Sequence, residues 1–385
     1  MMEQNKEGRE SSLLDVFARA DLEIVSGEGV WLTDSKGRRF LDFYGGHAVA
    51  LLGNAHPRLL SALAEQARTL FFQSNAVDLA VRERAAQRLI AFGPEGLHKA
   101  FFVNSGAEAN ENALRIAMLA NKRPRVVALS GAFHGRTAAV AALTAGSEKW
   151  YGFPQKPMDV SVVPIDDVEA LAKAMGPDVA ALILEPVQGV AGARAVSTDF
   201  IHAARDLTTK HGAALIFDEV QCGVGRTGYP FAAQAYGVTP DILTTAKGLA
   251  GGFPVGAVMV SNSYAAKLGK GQLGTTFGGG PLACALVEAI IDTIEKEDLL
   301  SRVRRLSARL AKECIVGPVY ATQGMGYLLG LRTHAPASAV LAAMRDRGIL
   351  AGSSGDPNVV RLLPPLVLQD EHVDMLVDCL KEISL

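Results

Sequence analysis

Long apolar runs are missing from this chain, and a class of function goes with them. No stretch approaches the roughly 18 to 20 consecutive apolar residues that a membrane-spanning helix needs. The opening residues MMEQNKEGRESS are polar and lack the apolar core of a signal peptide. A cytoplasmic protein with no membrane partner is the expectation. An excess of either charge is missing too: 38 Lys and Arg stand against 40 Asp and Glu, and no basic block forms a stripe that would suit nucleic acid. Cysteine is sparse. Cys222, Cys284, Cys314 and Cys379 are scattered, with no CxxC pair and no histidine at metal-binding spacing, so reduced structural thiols and no metal site are expected.

What the chain has is apolar content in quantity. Of its 385 residues 49% are hydrophobic, enough to bury a large core divided between two domains. Between Lys99 and Val260 short β-branched runs (KAFFV, RVVALS, VSVVP, AALILE, AALIF, DILTTA and GAVMV) alternate with longer helical patterns. Because the runs are continuous rather than alternating, they fit strands covered by helices on both faces. Their order predicts an α/β fold with parallel βαβ units in an open, doubly wound sheet. Helices are expected at Ala107–Asn121, with apolar positions Ala113, Ile116, Ala117 and Ala120, and along DFIHAARDLTTKHG, which closes on Gly212 as a C-cap.

Two regions flank this core. Before it, GVWLTDSKGRRFLDF reads as a hairpin around Ser35-Lys36-Gly37, followed by a helix from Pro57 to Phe72. After Gly280 the pattern is helical, then shows the short strands GYLLGLRT and NVVRLLPPLVL and a last helix, DEHVDMLVDCLKEI. The change of rhythm marks a smaller C-terminal domain. The expected division is an N-terminal segment at 1–56, a large domain at 57–275 and a small domain at 276–385.

In an open parallel sheet ligands sit outside the carboxyl ends of the strands, so residues where the apolar runs end carry the most information. ALILE ends at Glu185, ALIFDE at Asp218 and Glu219, and DILTTAK at Lys247. A charge so close to a buried strand is costly unless it is paired or used. A further element, FFVNSGAEANE, runs from a strand through Asn104-Ser105-Gly106-Ala107 directly into a helix. Ser105 is placed to cap it, with Glu108 completing a capping box, and small residues let backbone N–H groups approach an anion. This element is neither GxGxxG nor a Walker loop, which weakens dinucleotide and nucleoside-triphosphate readings.

A lysine, a strand-end aspartate and a phosphate cup at a helix N-terminus are together what pyridoxal 5′-phosphate (PLP) needs. The amine of Lys247 can form the Schiff base, and Asp218 can keep the pyridine nitrogen protonated so that the ring acts as an electron sink. The helix dipole can hold the phosphate. In LTTAKGLAGGFPVG the glycines that follow Lys247 leave room for a flat ring close to the backbone.

The motifs FVNSGAEANE, GAFHGRT, EPVQG, IFDEVQCGVGRTG, TTAKGLAGGFPVGA and GTTFGGGPLA occur in this order along essentially the whole chain. In them the sequence resembles the class III, ornithine-type aminotransferases of PLP fold type I. The resemblance implies a large domain with a mainly parallel sheet and a smaller α+β domain built from the C-terminal part and the N-terminal segment. It implies Lys247 as the Schiff-base lysine, Asp218 as partner of the pyridinium nitrogen, and Ser105, Gly106 and Ala107 as the phosphate loop. Phe133 corresponds to the ring that stacks on the cofactor, with Glu185 beside the same site, and Gln221 to a donor near its phenolic oxygen. Thr276 corresponds to a threonine that reaches the phosphate of the neighbouring subunit, which implies a homodimer. Arg136 and Arg361 correspond to carboxylate readers for an ω-amino donor, such as an N-acylated ornithine or lysine derivative, and for 2-oxoglutarate.

The chain departs from the family pattern at three places. Val190 of EPVQGV stands where many relatives carry a glutamate that pairs with the arginine corresponding to Arg361. Gly280 replaces an asparagine in FGGG, and FYGGHAV puts Tyr44 and His47 at the expected entrance. Two rival readings are a racemase or aminomutase on the same cofactor and a catalytically silent binding or assembly protein; the intact Lys247, Asp218 and phosphate loop argue against the second.

Overall fold

The computed structural model describes residues 12–17 and 20–385; the polar residues 1–11 lie outside it. Its centre is a seven-stranded sheet of β1 (Lys99–Val103), β2 (Arg125–Leu129), β3 (Asp159–Val163), β4 (Val179–Leu184), β5 (Ala214–Asp218), β6 (Ile242–Thr245) and β7 (Gly256–Val260). The spatial order is β1-β7-β6-β5-β4-β2-β3. Six strands are parallel. The sheet is mainly parallel, as expected, and its one exception is β7, which runs antiparallel to both β6 and β1. The cause is local: between Thr245 and Gly256 the chain has one 3₁₀ turn (Lys247–Ala250) and a glycine-rich loop, too short for a crossover helix, so it turns back on itself.

Successive residues of the inner strands face opposite sides, and the sequence fills both with apolar groups. Ala181, Ile183, Ile216 and Val258 pack against Ala109, Ala113, Ile116 and Ala117 of helix α1 (Gly106–Asn121). Leu182, Leu215 and Phe217 face the other way, towards Phe200, Ile201 and Ala204 of helix α2 (Thr198–His211), which closes on the left-handed Gly212. Two-sided burial explains why these runs read as continuous rather than alternating.

The N-terminal hairpin forms as expected, with Trp31–Asp34 paired to Arg39–Asp42. Ile349–Leu350 from the far end of the chain adds a parallel strand to it. The smaller α+β unit therefore draws on both termini. Its second sheet pairs Val319–Met325, Leu328–Thr333 and Val359–Leu362, with helices Leu299–Glu313, Ala337–Asp346 and Asp370–Lys381 around it. The helix from Pro57 stops at Thr69, three residues short of Phe72, because Leu70 turns extended.

Candidate active site

Because β2, β4, β5 and β6 are parallel, their carboxyl ends lie along one edge, and the loops leaving them enclose a cavity of about 350 Å³. Ser105, Gly106, Ala107, Phe133, Glu185, Asp218, Gln221 and Lys247 all line it. The reversed strand contributes as well. Since β7 begins rather than ends at this edge, Phe253, Pro254 and Val255 close the cavity from that side. The loop after Lys247 is thus a turn-around, with Gly251 and Gly252 at φ 61° and 123°, conformations that a side chain would oppose. Lys247 itself sits at φ 48°, a strained backbone for a residue with a Cβ.

Asp218 is held by a buried network. Its Oδ2 lies 2.7 Å from His134 Nδ1 and accepts from Asn110 Nδ2 at 2.7 Å, while Oδ1 accepts from the Val220 N–H at 3.1 Å. Thr244 Oγ1 in turn donates to Asn110 Oδ1 at 2.5 Å, fixing which face of that amide meets the carboxylate. Burial alone lowers the affinity of His134 for a proton, but the hydrogen bond and charge of Asp218 outweigh it and the net shift is upward. The His134 Nε2 atom is buried without a partner.

Glu185 enters from the end of β4, where its Oε1 accepts from the Phe133 N–H at 2.9 Å. Burial, reinforced by the charge of Asp218, raises its pKa. Lys247 moves the other way: burial lowers its pKa, against the pull of Asp218 and Glu185 and with help from Arg361. Its amine has no hydrogen-bond partner among the described residues.

The phosphate cup takes its form from Ser105, whose Oγ accepts from the Glu108 N–H at 3.1 Å. The expected capping box is displaced by one residue. Glu108 reaches back to the N–H of Asn104 at 2.8 Å and not to that of Ser105, which leaves Ser105 N–H unclaimed by the box. Gly106 is required by packing, since a Cβ there would stand 2.6 Å from Val220 Cγ1.

The other expected residues are placed less uniformly. Glu219, adjacent to Asp218, does not line the cavity. Its carboxylate accepts from the Ala232 and Ala233 N–H groups at 2.6 and 2.8 Å, starting the helix Ala232–Tyr236, and burial pushes its pKa up to about 7. Arg361 is 5% exposed and lies behind Gln221. It donates to the Ser353 carbonyl at 2.5 Å and to Gln221 Oε1 at 3.5 Å, without a carboxylate partner among the described residues. Gln221 Nε2 donates to the His47 carbonyl at 3.4 Å, and Tyr44 Oη is 2.5 Å from His47 Nδ1. Arg136 is exposed, its guanidinium 4.5 Å from the centre of the Trp150 ring, and it is not part of the cavity wall. Thr276 is exposed and outside the cavity of its own chain.

His134, Asn110 and Thr244 are the members of this site that motif reading passes over. Asn110 carried a signal: it is a polar residue on the apolar stripe of α1, one turn after the cup. His134 follows Phe133 directly, in the loop that leaves β2.

A family model described as aminotransferase class-III matches residues 17–384. The chain belongs to the class-III aminotransferases. The acetylornithine aminotransferase of Mesorhizobium japonicum is 43% identical, over 94% of this chain and 93% of its own. Among solved structures, ornithine aminotransferase from Toxoplasma gondii superposes with a TM-score of 0.90 at 29% identity, covering 96% of this chain and 92% of that one. N-acetylornithine aminotransferase from Stenotrophomonas maltophilia gives 0.81 at 31% identity, with 94% and 95% covered. Class-III aminotransferases depend on PLP, and this aminotransferase has the fold type I architecture of that family. Its cavity fits the cofactor: an anion cup at a sixteen-residue helix, a buried carboxylate aimed inwards, an amine without a partner and the flat wall of Phe133 converge on one space. No helix among the described residues is long and apolar enough to cross a membrane.

Proposed function

We propose that this aminotransferase moves the distal amino group of an N-acylated ornithine, N-acetylornithine first, to 2-oxoglutarate, giving the semialdehyde and glutamate in cytoplasmic arginine biosynthesis. The observation that carries the reading is the convergence of Lys247, Asp218 and the Ser105–Ala107 cup on one cavity in a chain similar throughout to acetylornithine aminotransferases. Bound PLP supplies an electron sink for charge left when a proton departs from the neighbouring carbon.

The chain's own groups do the rest. Lys247 is the covalent anchor and, once free, carries the proton between the two carbons that exchange it; its lowered pKa favours the amine that can accept one. Asp218, held by His134 and Asn110, keeps a negative charge at the ring nitrogen. The first N–H groups of α1 hold the phosphate, Phe133 and Gln221 fix the ring, and Glu185 borders it. Arg136 takes the donor's α-carboxylate and Arg361 that of glutamate or 2-oxoglutarate. With no carboxylate paired to it among the described residues, Arg361 is not masked between the two half-reactions.

The active unit in this reading is a homodimer in which Thr276 serves the neighbouring subunit's phosphate. Phe71 and Phe277 are 69% and 66% exposed. They border an apolar hollow that shares Asn104, Phe253 and Pro254 with the cofactor cavity, so a second copy covering it would also close the site. Incubation of the PLP form with N-acetylornithine and 2-oxoglutarate tests the function, with glutamate formed one for one as the expected result. Conversion of the amine without any acceptor would replace transfer by racemisation or amino migration.

A further inference from the structure

A second cavity, of about 480 Å³, lies beside the cofactor cavity, and Phe133 contributes to the walls of both. Six of its nine lining residues are glycine or alanine. Val190 stands among them as the one branched aliphatic side chain of the lining. The strand-end loop and the C-terminal unit are joined at this wall, where the Gly355 N–H donates to the Val190 carbonyl at 2.7 Å. Asp356 is the one charged residue in the lining. Its Oδ1 accepts from the Asn358 N–H at 2.9 Å, which orients the carboxylate and leaves Oδ2 available.

These features select a ligand chemistry. Small side chains leave space without supplying a donor, and Val190 makes that part of the wall apolar, so an uncharged group is accepted and an anion is not. The lining has no cation to pair with a carboxylate, and Asp356 repels one while it can accept from an amide N–H. We propose that this cavity is the subsite for the acyl group of the amino donor: it seats a short N-acyl amide, with the amide N–H towards Asp356 and the acyl methyl towards Val190, and discriminates against acyl chains that end in a carboxylate. The proposal rests on the donor being an N-acylornithine and assigns what distinguishes one such donor from another.

Ala145 lies at the exposed rim of the cavity, where a larger side chain fills the space without entering the core. Ala145→Phe is expected to raise KM for N-acetylornithine about tenfold, the scale of a lost short-chain contact, and to leave KM for ornithine and for 2-oxoglutarate within about twofold. Asp356→Asn is expected to raise kcat/KM for N-succinylornithine several-fold relative to N-acetylornithine. A binding readout separates contact from turnover: N-trifluoroacetylornithine held by the PLP-loaded Lys247→Ala protein should show a displaced ¹⁹F resonance that Ala145→Phe shifts or abolishes. Equal changes in KM for ornithine and N-acetylornithine, a ¹⁹F resonance indifferent to Ala145→Phe, or an unchanged succinyl-to-acetyl ratio in Asp356→Asn would overturn the subsite. An enzyme that forms glutamate from other ω-amines but from no N-acylornithine would overturn the functional reading itself.

Discussion

Glu219 offers the sharpest quantitative test of how this fold handles charge. It is fully buried, its carboxylate accepts two backbone N–H groups, and burial holds its pKa at about 7 against 4.5 for a free glutamate. A carboxyl whose folded pKa is raised stabilises the fold most below its unfolded pKa, and that stability is lost as pH climbs through the folded value. For these two pKa values the loss between pH 5 and pH 8.5 comes to roughly 2–3 kcal/mol. Glu219→Gln removes the titration while retaining the shape and one acceptor oxygen. Urea unfolding of wild type and variant, at matched protein and PLP concentrations across this range, should show the variant gaining roughly 2–3 kcal/mol on wild type by pH 8.5. Subtracting one protein from the other cancels the shared contributions of Glu185, His134 and cofactor binding. Parallel profiles would refute the reasoning, because the two backbone donors would then offset burial in full. A variant that loses ground as pH rises would reverse the sign.

Three further outcomes follow from contacts in and around the site. Asp218→Asn sets an amide N–H₂ against donors on Asn110 and His134; kcat for glutamate formation should fall about 100-fold or more while cofactor absorbance persists. Gly106→Ala forces a methyl group against Val220 Cγ1, which should cost about 1–3 kcal/mol in unfolding free energy and weaken PLP retention on dialysis. Phe277→Asp buries a charge in the expected interface, and sedimentation should show monomers with poor cofactor retention; an unchanged dimer would place the interface elsewhere.

The large sheet was legible because its strands are buried on both faces, a requirement that leaves continuous apolar runs in the sequence. Val319–Met325 escaped notice because its residues, apart from Val319, are part-exposed and its composition is mixed. The direction of β7 was invisible for a different reason: GAVMV has the same apolar character whichever way it runs, and only the missing crossover distinguishes the two. Within the site, strand ends pointed to Lys247, Asp218 and Glu185, which share one cavity. The same rule also pointed to Glu219, which has the burial of a functional carboxylate and the task of starting a helix. The partners of Asp218 were harder to find because His134, Asn110 and Thr244 meet only across three separate elements, and no local spacing records that meeting.

The reversed strand also bears on the order in which the molecule can assemble. β7 is the last of the seven strands to leave the ribosome, and among the described residues it is the only sheet neighbour of β1, the strand that leads into the phosphate cup. Until residues 256–260 arrive, β1 has an unpaired edge on each side and the sheet ends at an open β6. The cup is therefore locked into register with Asp218 by a strand synthesised after both. Cofactor uptake becomes a late step of folding, and the nascent chain must protect the open edge of β1 from residue 103 until residue 256 is made.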